Sequence, residues 1–176
     1  MHSEITDQRL HNFITVHTVG HPVEQMISLA SVIAGGVVER FPTLRLAFLE
    51  GGVGWVPYWM DRMDEEVEKR GAAEAPYLTR LPSEYIRGGG FYFGVECEER
   101  TIPQAVDGGL EDTLLYSSDY PHWDGDWPHT VRSVRERTDL TDEVKRKMLH
   151  DNAARLYKLE EVAVPARPAA RSATPR

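Results

Sequence analysis

Apolar residues occur along the chain in two patterns, as short runs that are mostly apolar and as longer segments with one apolar residue every three or four positions. The short runs, 44–50, 91–95 and 113–118, predict buried strands, since each is preceded or followed by glycine, proline or acidic residues. The helical spacing predicts helices at 22–38, 55–70, 102–106, 127–137 and 142–159. Strands that alternate with helices favour a parallel sheet with right-handed crossovers, so the predicted fold class is α/β.

Individual residues indicate where some of these elements begin and end. Pro22 suits a first helical turn, where its missing N–H is not needed. Thr141 is a suitable N-cap for the last helix, and Ser83 for a short helix that follows the predicted loop 71–82. Asn152 marks a possible break in the last helix.

Three or four strands are too few for a complete eight-stranded barrel, which takes roughly 250 residues and sometimes 200. With 176 residues, the chain is either a small open sheet or part of a (β/α)8 barrel. The pattern of residues leaves both possibilities open. Residues 1–160 are predicted to form one domain, and the Ala-, Pro-, Arg- and Ser-rich stretch 161–176 is predicted to be a disordered tail.

Charge and cysteine content narrow the functional classes. The 20 Lys and Arg against 28 Asp and Glu give a net charge of −8, which argues against a nucleic-acid-binding protein. The single cysteine, Cys97, cannot form an internal disulfide, which favours a reducing compartment. The first ten residues lack an apolar core, and the longest apolar stretch, 28–38, is far shorter than the ~20 residues of a membrane span. We therefore expect a cytoplasmic protein with no membrane partner.

Two of the predicted strands end in a carboxylate. Asp119 follows the run 113–118, and Glu50 ends the run 44–50. In parallel α/β folds, the carboxyl ends of the strands face the ligand crevice or barrel mouth. A carboxylate there can bind a cation or take a proton from bound water, and a pair in different environments can divide acid and base roles. The alternatives are a turn-capping role for Asp119 and a surface strand end for Glu50.

A glycine-rich turn, Gly51-Gly52-Val53-Gly54, comes directly after Glu50. Its spacing does not match a phosphate-binding loop, and no Lys-Ser or Lys-Thr pair follows it. We therefore interpret these glycines as a tight turn without phosphate chemistry.

His17 and His21 are four residues apart, a spacing that places two side chains on one face of a helix. Because Gly20 and Pro22 flank His21, we predict that this segment is not helical. No Glu follows His17, as the zinc-protease motif would require. We therefore interpret this pair as the lining of a pocket near a loop rather than as a dedicated zinc motif.

A second concentration of polar side chains follows Asp119. His122, Asp124, Asp126 and His129 offer nitrogen and oxygen ligands that could hold a metal ion. The alternative is a polar loop in which these side chains hydrogen-bond the backbone. The sequence alone does not decide between the two.

Several stretches, in matching order and spacing, resemble one protein family. They are 21–26, 35–42, 44–52, 55–64, 81–84, 117–122 and 152–157. Together they cover about residues 2–159 and are similar to the C-terminal half of the amidohydrolase-related metal-dependent hydrolases. That family includes aminocarboxymuconate semialdehyde decarboxylase and related decarboxylases.

This resemblance implies the C-terminal half of a TIM (β/α)8 barrel with one divalent ion, usually zinc, at its mouth. It implies Asp119 as a metal ligand that also helps to deprotonate a bound water, and His2 as a second ligand. Glu50 would be a proton shuttle or a substrate contact. The substrate pocket would be lined by His17, Trp55 and His122. The implied activity is hydrolysis or decarboxylation of a small carboxylated or cyclic compound.

The chain departs from the family pattern in two places. No His-x-His, the family's ligand pair on the first strand, occurs in the sequence, and Glu50 stands where the decarboxylases carry a catalytic His. Two protein ligands hold zinc poorly, and the open edges of a half barrel favour pairing with another chain. We therefore expect either a truncated, non-catalytic half barrel or a chain completed by a second copy or a complementary N-terminal half.

Overall fold

The structure, a computed structural model, describes residues 9–123 and 125–159. His2, Asp124 and the predicted tail 161–176 lie outside the described residues. The helices are α1 (Phe13–Ala34), α2 (Val37–Arg40), α3 (Val56–Glu74), α4 (Pro82–Tyr85), α5 (Ile102–Asp107), α6 (Thr130–Glu136), α7 (Asp142–Arg146) and α8 (Asn152–Tyr157). The strands are β1 (Leu46–Phe48), β2 (Phe91–Val95) and β3 (Leu114–Tyr116), and π-helical turns follow α4 (Ile86–Gly90) and α7 (Lys147–Asp151). Among the described helices, none is long and apolar enough to cross a bilayer.

The three strands form one parallel sheet in the order β1-β2-β3, which confirms the predicted α/β class with parallel strands. Phe48 of β1 aligns with Phe93 of β2, and Val95 of β2 aligns with Tyr116 of β3. β1 and β3 are shorter than the predicted runs, because only three residues of each are paired as strand. Since the strands are parallel, the residues that follow them all lie at the same edge of the sheet.

The hydrophobic core lies between one face of this sheet and the surrounding helices. Phe48 and Phe93 stack with ring centroids 5.6 Å apart and share a buried cluster with Leu29 of α1. Because side chains alternate along a strand, Ala47 and Leu49 point away from this cluster. Ala47 is exposed and Leu49 is 50% exposed, so the described residues leave the other face of the sheet uncovered at β1.

Helix α1 runs through a segment that the sequence predicts to be non-helical. His17, His21 and Pro22 all lie within it, so the prediction of a loop around His21 is wrong. The helix also begins earlier than Pro22, at Phe13, where the side-chain oxygen of Asn12 accepts a backbone N–H of the first turn at 2.9 Å. Burial of its second half in the core outweighs the hydrogen bond that an interior proline removes.

The two predicted helix caps have different outcomes. Thr141 caps α7, and its hydroxyl oxygen accepts a first-turn N–H at 3.2 Å, as predicted. The prediction that Ser83 is a cap is wrong, because Ser83 lies inside α4 and Leu81 takes the N-cap position. The Glu84 carboxylate accepts the Leu81 N–H at 2.8 Å, which satisfies the helix start from within the first turn.

Asn152 is fully buried inside the last helical segment and fixes the start of β3. Its side-chain amide donates to the Leu114 carbonyl at 2.8 Å and to the Glu111 carbonyl at 2.9 Å. We expect Asn152→Ala to lower the free energy of unfolding by about 1–3 kcal/mol, since buried carbonyl oxygens lose their donors. Urea denaturation measures this loss, with the exposed Glu136→Ala as a near-neutral control. Equal stability of Asn152→Ala and the wild type would contradict the prediction.

Candidate metal centre

Each strand of the sheet delivers a carboxylate to the same edge. Glu50 follows β1, Glu96 follows β2 and Asp119 follows β3. They open onto a cavity of about 540 Å³. The described residues that line this cavity are Phe13, His17, His21, Glu50, Glu96, Glu98, Asp119, His122 and Trp123. The arrangement is the one expected at the carboxyl ends of parallel strands.

Two of these carboxylates sit on an unusual backbone. Glu50 has φ 70° and Asp119 has φ 51°, both in the left-handed region that side-chain-bearing residues rarely adopt. At Asp119 the turn is held locally, because its N–H donates to the Ser117 hydroxyl at 3.2 Å and its carbonyl accepts the His122 N–H at 2.8 Å. The turn therefore ends β3 and brings the side chain of His122 back to that of Asp119.

Three side chains converge in a way that could hold a metal ion. One potential ligand atom from each of Glu50, Asp119 and His122 lies within 4.8 Å of the other two. The Nδ1 atom of His122 lies 3.2 Å from Oδ2 of Asp119. Zinc binds carboxylate and imidazole ligands at about 2.0–2.2 Å, so ligands of one ion lie within about 4.4 Å of each other. Small side-chain movements would therefore bring these three onto one ion.

Aromatic rings form another wall of the cavity. His17 stacks on Phe13 with centroids 5.0 Å apart, and Trp123 lies 6.4 Å from His17. His21 meets His17 edge to face at 5.6 Å, which the helical spacing of α1 makes possible. The structure thus places His17 and His122 in the predicted pocket, while their contact with substrate stays a prediction.

Trp55 and two members of the polar cluster after Asp119, Asp126 and His129, are not among the described residues that line this cavity, whereas His122 is. Trp55 is not among the described lining residues; its indole donates to the Gly52 carbonyl at 3.0 Å. Asp126 instead accepts the Ser133 hydroxyl at 2.9 Å, as in a hydrogen-bonded polar loop. The predicted substrate contact of Trp55 therefore gains no support from the cavity lining.

The sequence reasoning missed Glu96 and Glu98, although Glu96 follows a strand just as Asp119 does. Desolvation raises the pKa of the Glu96 carboxyl above its usual range, and the negative charges of Asp119 and Glu98 raise it further. Desolvation and a hydrogen bond to Glu98 likewise raise the pKa of the Cys97 thiol to about 12, so this buried cysteine is protonated at neutral pH. The signal that would have found Glu96 is its place directly after the run 91–95.

The raised pKa of Glu96 gives a testable pH dependence. A carboxyl whose pKa is higher in the folded chain destabilises the fold once it ionises, and has no such effect when it is protonated in both states. We therefore expect E96Q to raise the midpoint of thermal unfolding at pH 7, with a gain that shrinks as the pH falls to about 4. Circular dichroism melts from pH 4 to 8 test this, with E68Q on the exposed side of α3 as the control. A gain of equal size at every pH would contradict the prediction.

Comparison with known proteins places this geometry in context. The 2-amino-3-carboxymuconate-6-semialdehyde decarboxylase of Dictyostelium discoideum is 28% identical over 145 residues, which are 81% of this chain. This chain spans 39% of the length of that curated relative. Partial coverage of this kind fits the predicted resemblance to one part of a larger enzyme.

Solved structures of similar fold give the same picture. A crystal structure of 5-carboxyvanillate decarboxylase from Sphingomonas paucimobilis matches with a TM-score of 0.69 at 22% identity, covering 89% of this chain and 46% of that chain. An amidohydrolase from Mycobacterium avium subsp. paratuberculosis K-10 matches with a TM-score of 0.65 at 23% identity, covering 82% and 36%. At these identities the likeness concerns the fold. The sequence profile of the amidohydrolase family matches residues 7–159, and the chain therefore belongs to the amidohydrolase family.

Proposed function

We propose that this chain is the C-terminal half of a (β/α)8 barrel that carries out metal-dependent hydrolysis or decarboxylation of a small carboxylated or cyclic substrate. The observation that carries this proposal is the convergence of Glu50, Asp119 and His122, with one ligand atom from each within 4.8 Å of the others. The decarboxylase among its relatives supports the reaction class. Residues 1–160 would form the domain that contributes to the barrel.

A divalent ion, which we propose to be zinc, would be held by Glu50, Asp119 and His122, with His2 as the further ligand implied by the resemblance. Two carboxylates and an imidazole are donors that suit zinc. When bound, such an ion supplies Lewis-acid polarisation and lowers the pKa of a coordinated water toward about 7.

In this proposal, Asp119, Glu96 and Glu50 each take a different part in moving protons within the site. Asp119, which is hydrogen-bonded to His122, would receive a proton from water in the site. Glu96 lines the same cavity, and desolvation and the charges of Asp119 and Glu98 raise the pKa of its carboxyl, which favours Glu96 as the group that would return a proton to a departing group. Glu50 lines the same cavity, and besides its proposed role as a ligand it would pass protons between water and substrate.

The acidic lining of the cavity bears on how a negatively charged substrate could bind. Four carboxylates line the cavity, and no Lys or Arg is among the described lining residues. An anionic ligand is repelled by this wall unless a cation offsets the charge. We therefore expect benzoate, a simple carboxylated aromatic probe, to bind the zinc-loaded chain and not the zinc-free chain. NMR titration measures this, and equal binding in both forms would contradict a metal-dependent carboxylate site.

A second candidate function is that of a non-catalytic half barrel that pairs with another chain. Among the described residues, β1 and β3 are each paired on one side only, and Leu49 is 50% exposed beside β1. We propose that a complementary N-terminal half or a second copy of this chain pairs with these strand edges and covers the face of the sheet that carries Leu49. Light scattering with and without zinc tests the second copy, and a strictly monomeric chain that binds zinc tightly would oppose it.

The test of the catalytic proposal is the metal content of the purified chain after dialysis, measured by elemental analysis. About one zinc ion per chain would support a site that assembles here, and decarboxylase and hydrolase assays would follow. Absence of bound metal after addition of excess zinc would overturn the catalytic proposal for the isolated chain. The half-barrel candidate would then be the better account.

A further inference from the structure

Glu99 connects two of the loops at the carboxyl edge of the sheet. It lies in the loop after β2, yet its carboxylate reaches the glycine-rich turn that follows β1. Its Oε1 atom accepts the backbone N–H groups of Val53 and Gly54, each at 2.9 Å. The same oxygen accepts the hydroxyl of Thr101 at 2.6 Å. Glu99 is not among the described residues that line the cavity, so it acts behind the site.

Two glycines of the turn, Gly52 and Gly54, lie close against Glu99 and Thr101. Gly52 has φ +62°, and a Cβ atom there would lie 3.1 Å from the Glu99 carboxylate. A Cβ atom on Gly54 would lie 2.3 Å from the Thr101 hydroxyl oxygen, which is too close for any side chain. Glycine at these two positions therefore leaves room for Glu99 and Thr101, and the N–H groups of the turn bond to the half-buried Glu99 carboxylate.

The backbone of Glu99 is itself fixed from the other side. Arg137 donates from Nη1 to the Glu99 carbonyl at 2.7 Å and to the Cys97 carbonyl at 3.1 Å. Arg137 is held in turn by two bonds to the Asp139 carboxylate, at 3.0 Å and 2.7 Å, and its side chain is only 11% exposed. The loop after β2 is thus anchored before Glu99 reaches across to β1.

This arrangement bears on Glu50, which precedes the glycine-rich turn directly. Its left-handed backbone is a conformation that persists only where neighbouring structure imposes it. The bonds from Glu99 to Val53 and Gly54 restrain the chain immediately after it. Because Glu96 lies three residues before Glu99, the same link restrains the separation of Glu50 from Glu96 across the cavity.

We propose that Glu99 is a positioning residue, which holds Glu50 in place for metal binding through the glycine-rich turn. This inference rests on the proposed function, since it concerns the same metal site. It assigns no contact with metal or substrate to Glu99 itself. Residues that orient metal ligands from behind typically change metal affinity by roughly 10- to 100-fold when they are removed.

The test is a double-mutant cycle on zinc affinity, measured by competition with a chromophoric chelator. The variants are E99A, E50Q and the E99A/E50Q pair, with E68A on the exposed side of α3 as the control. We expect E99A to raise the zinc dissociation constant roughly 10- to 100-fold in the wild-type background. In the E50Q background we expect E99A to change the zinc dissociation constant by less than about twofold, because Glu50, the residue through which Glu99 acts, has already lost its charge.

Two outcomes would overturn the positioning role while leaving the metal site intact. One is zinc affinity in E99A within about twofold of the wild type. The other is the same loss in both backgrounds, which would indicate a general effect on the fold. A wild-type chain that takes up no zinc would instead overturn the proposed function, and this inference with it.

A second measurement covers the case in which E99A does not fold. E99Q keeps an acceptor oxygen for Val53 and Gly54 but loses the charge that strengthens those bonds. We expect E99Q to be folded, with faster amide hydrogen exchange at Val53 and Gly54 and a severalfold weaker zinc affinity. The absorption spectrum of the Co²⁺-loaded form should also change, since it reports ligand arrangement. Unchanged zinc affinity and an unchanged Co²⁺ spectrum in folded E99Q would overturn the proposal.

Discussion

Asp119→Asn should weaken zinc binding by more than about 100-fold, beyond the 10- to 100-fold typical of residues that only orient a ligand. The substitution removes the charge of a carboxylate that belongs to the Glu50–Asp119–His122 group and alters its bond to His122. An amide oxygen is a much poorer zinc ligand than a carboxylate, while the size of the side chain is retained. Competition with a chromophoric chelator, or calorimetry, measures the change.

The matched control for this prediction is Asp107→Asn. Asp107 is an exposed residue at the end of α5 and carries the same chemistry away from the three converging side chains. We expect the zinc affinity of the Asp107→Asn variant to equal that of the wild type. If Asp119→Asn retained full affinity, Asp119 would be removed from the set of metal ligands, and its role would be that of a turn residue.

Phe93→Ala should lower the free energy of unfolding by about 3–5 kcal/mol, the range for truncating a buried aromatic residue to alanine. Phe93 is fully buried in the central strand, stacks on Phe48 at 5.6 Å and meets Trp55 edge to face at 5.9 Å. It therefore joins the sheet to the start of α3, and its loss leaves a cavity in the hydrophobic core. Urea denaturation followed by circular dichroism measures the effect.

Tyr58→Ala is the control for the core prediction, because Tyr58 is 63% exposed and should change stability by less than about 0.5 kcal/mol. If Phe93→Ala does not fold, Phe93→Leu provides a smaller and measurable loss. A Phe93→Leu chain as stable as the wild type would show that Phe93 does not carry the packing assigned to it.

The strands and the fold class could be predicted because their signal is local. The runs around Phe48, Phe93 and Leu115 are mostly apolar, as is typical of strands in a parallel sheet. The prediction failed at Pro22, where local preference and tertiary structure disagree. An interior proline costs about 3 kcal/mol, but burial of Leu29 and Ile33 in the same helix can contribute roughly 1.5–3 kcal/mol each.

The candidate site was predictable where it follows the strands and not where it depends on packing. Asp119 and Glu50 were identified as strand-end carboxylates, and the same rule applied to Glu96 would have found it. The pairing of His122 with Asp119 depends on the tight turn after β3, and the link from Glu99 to the glycine-rich turn spans 45 residues of sequence. Neither the conformation of a turn nor a contact across 45 residues leaves a periodic signal in a single sequence.

The left-handed backbone at Glu50 means that the amino acid best suited to the fold and the one best suited to the chemistry differ at this position. A residue with a side chain is disfavoured in that conformation by roughly 1–2 kcal/mol, whereas glycine adopts it freely. Selection for stability alone would thus favour glycine at position 50, and this would remove one carboxylate from the candidate metal site. In the proposed metal site, glutamate at position 50 would therefore supply a ligand at the expense of some stability of the fold.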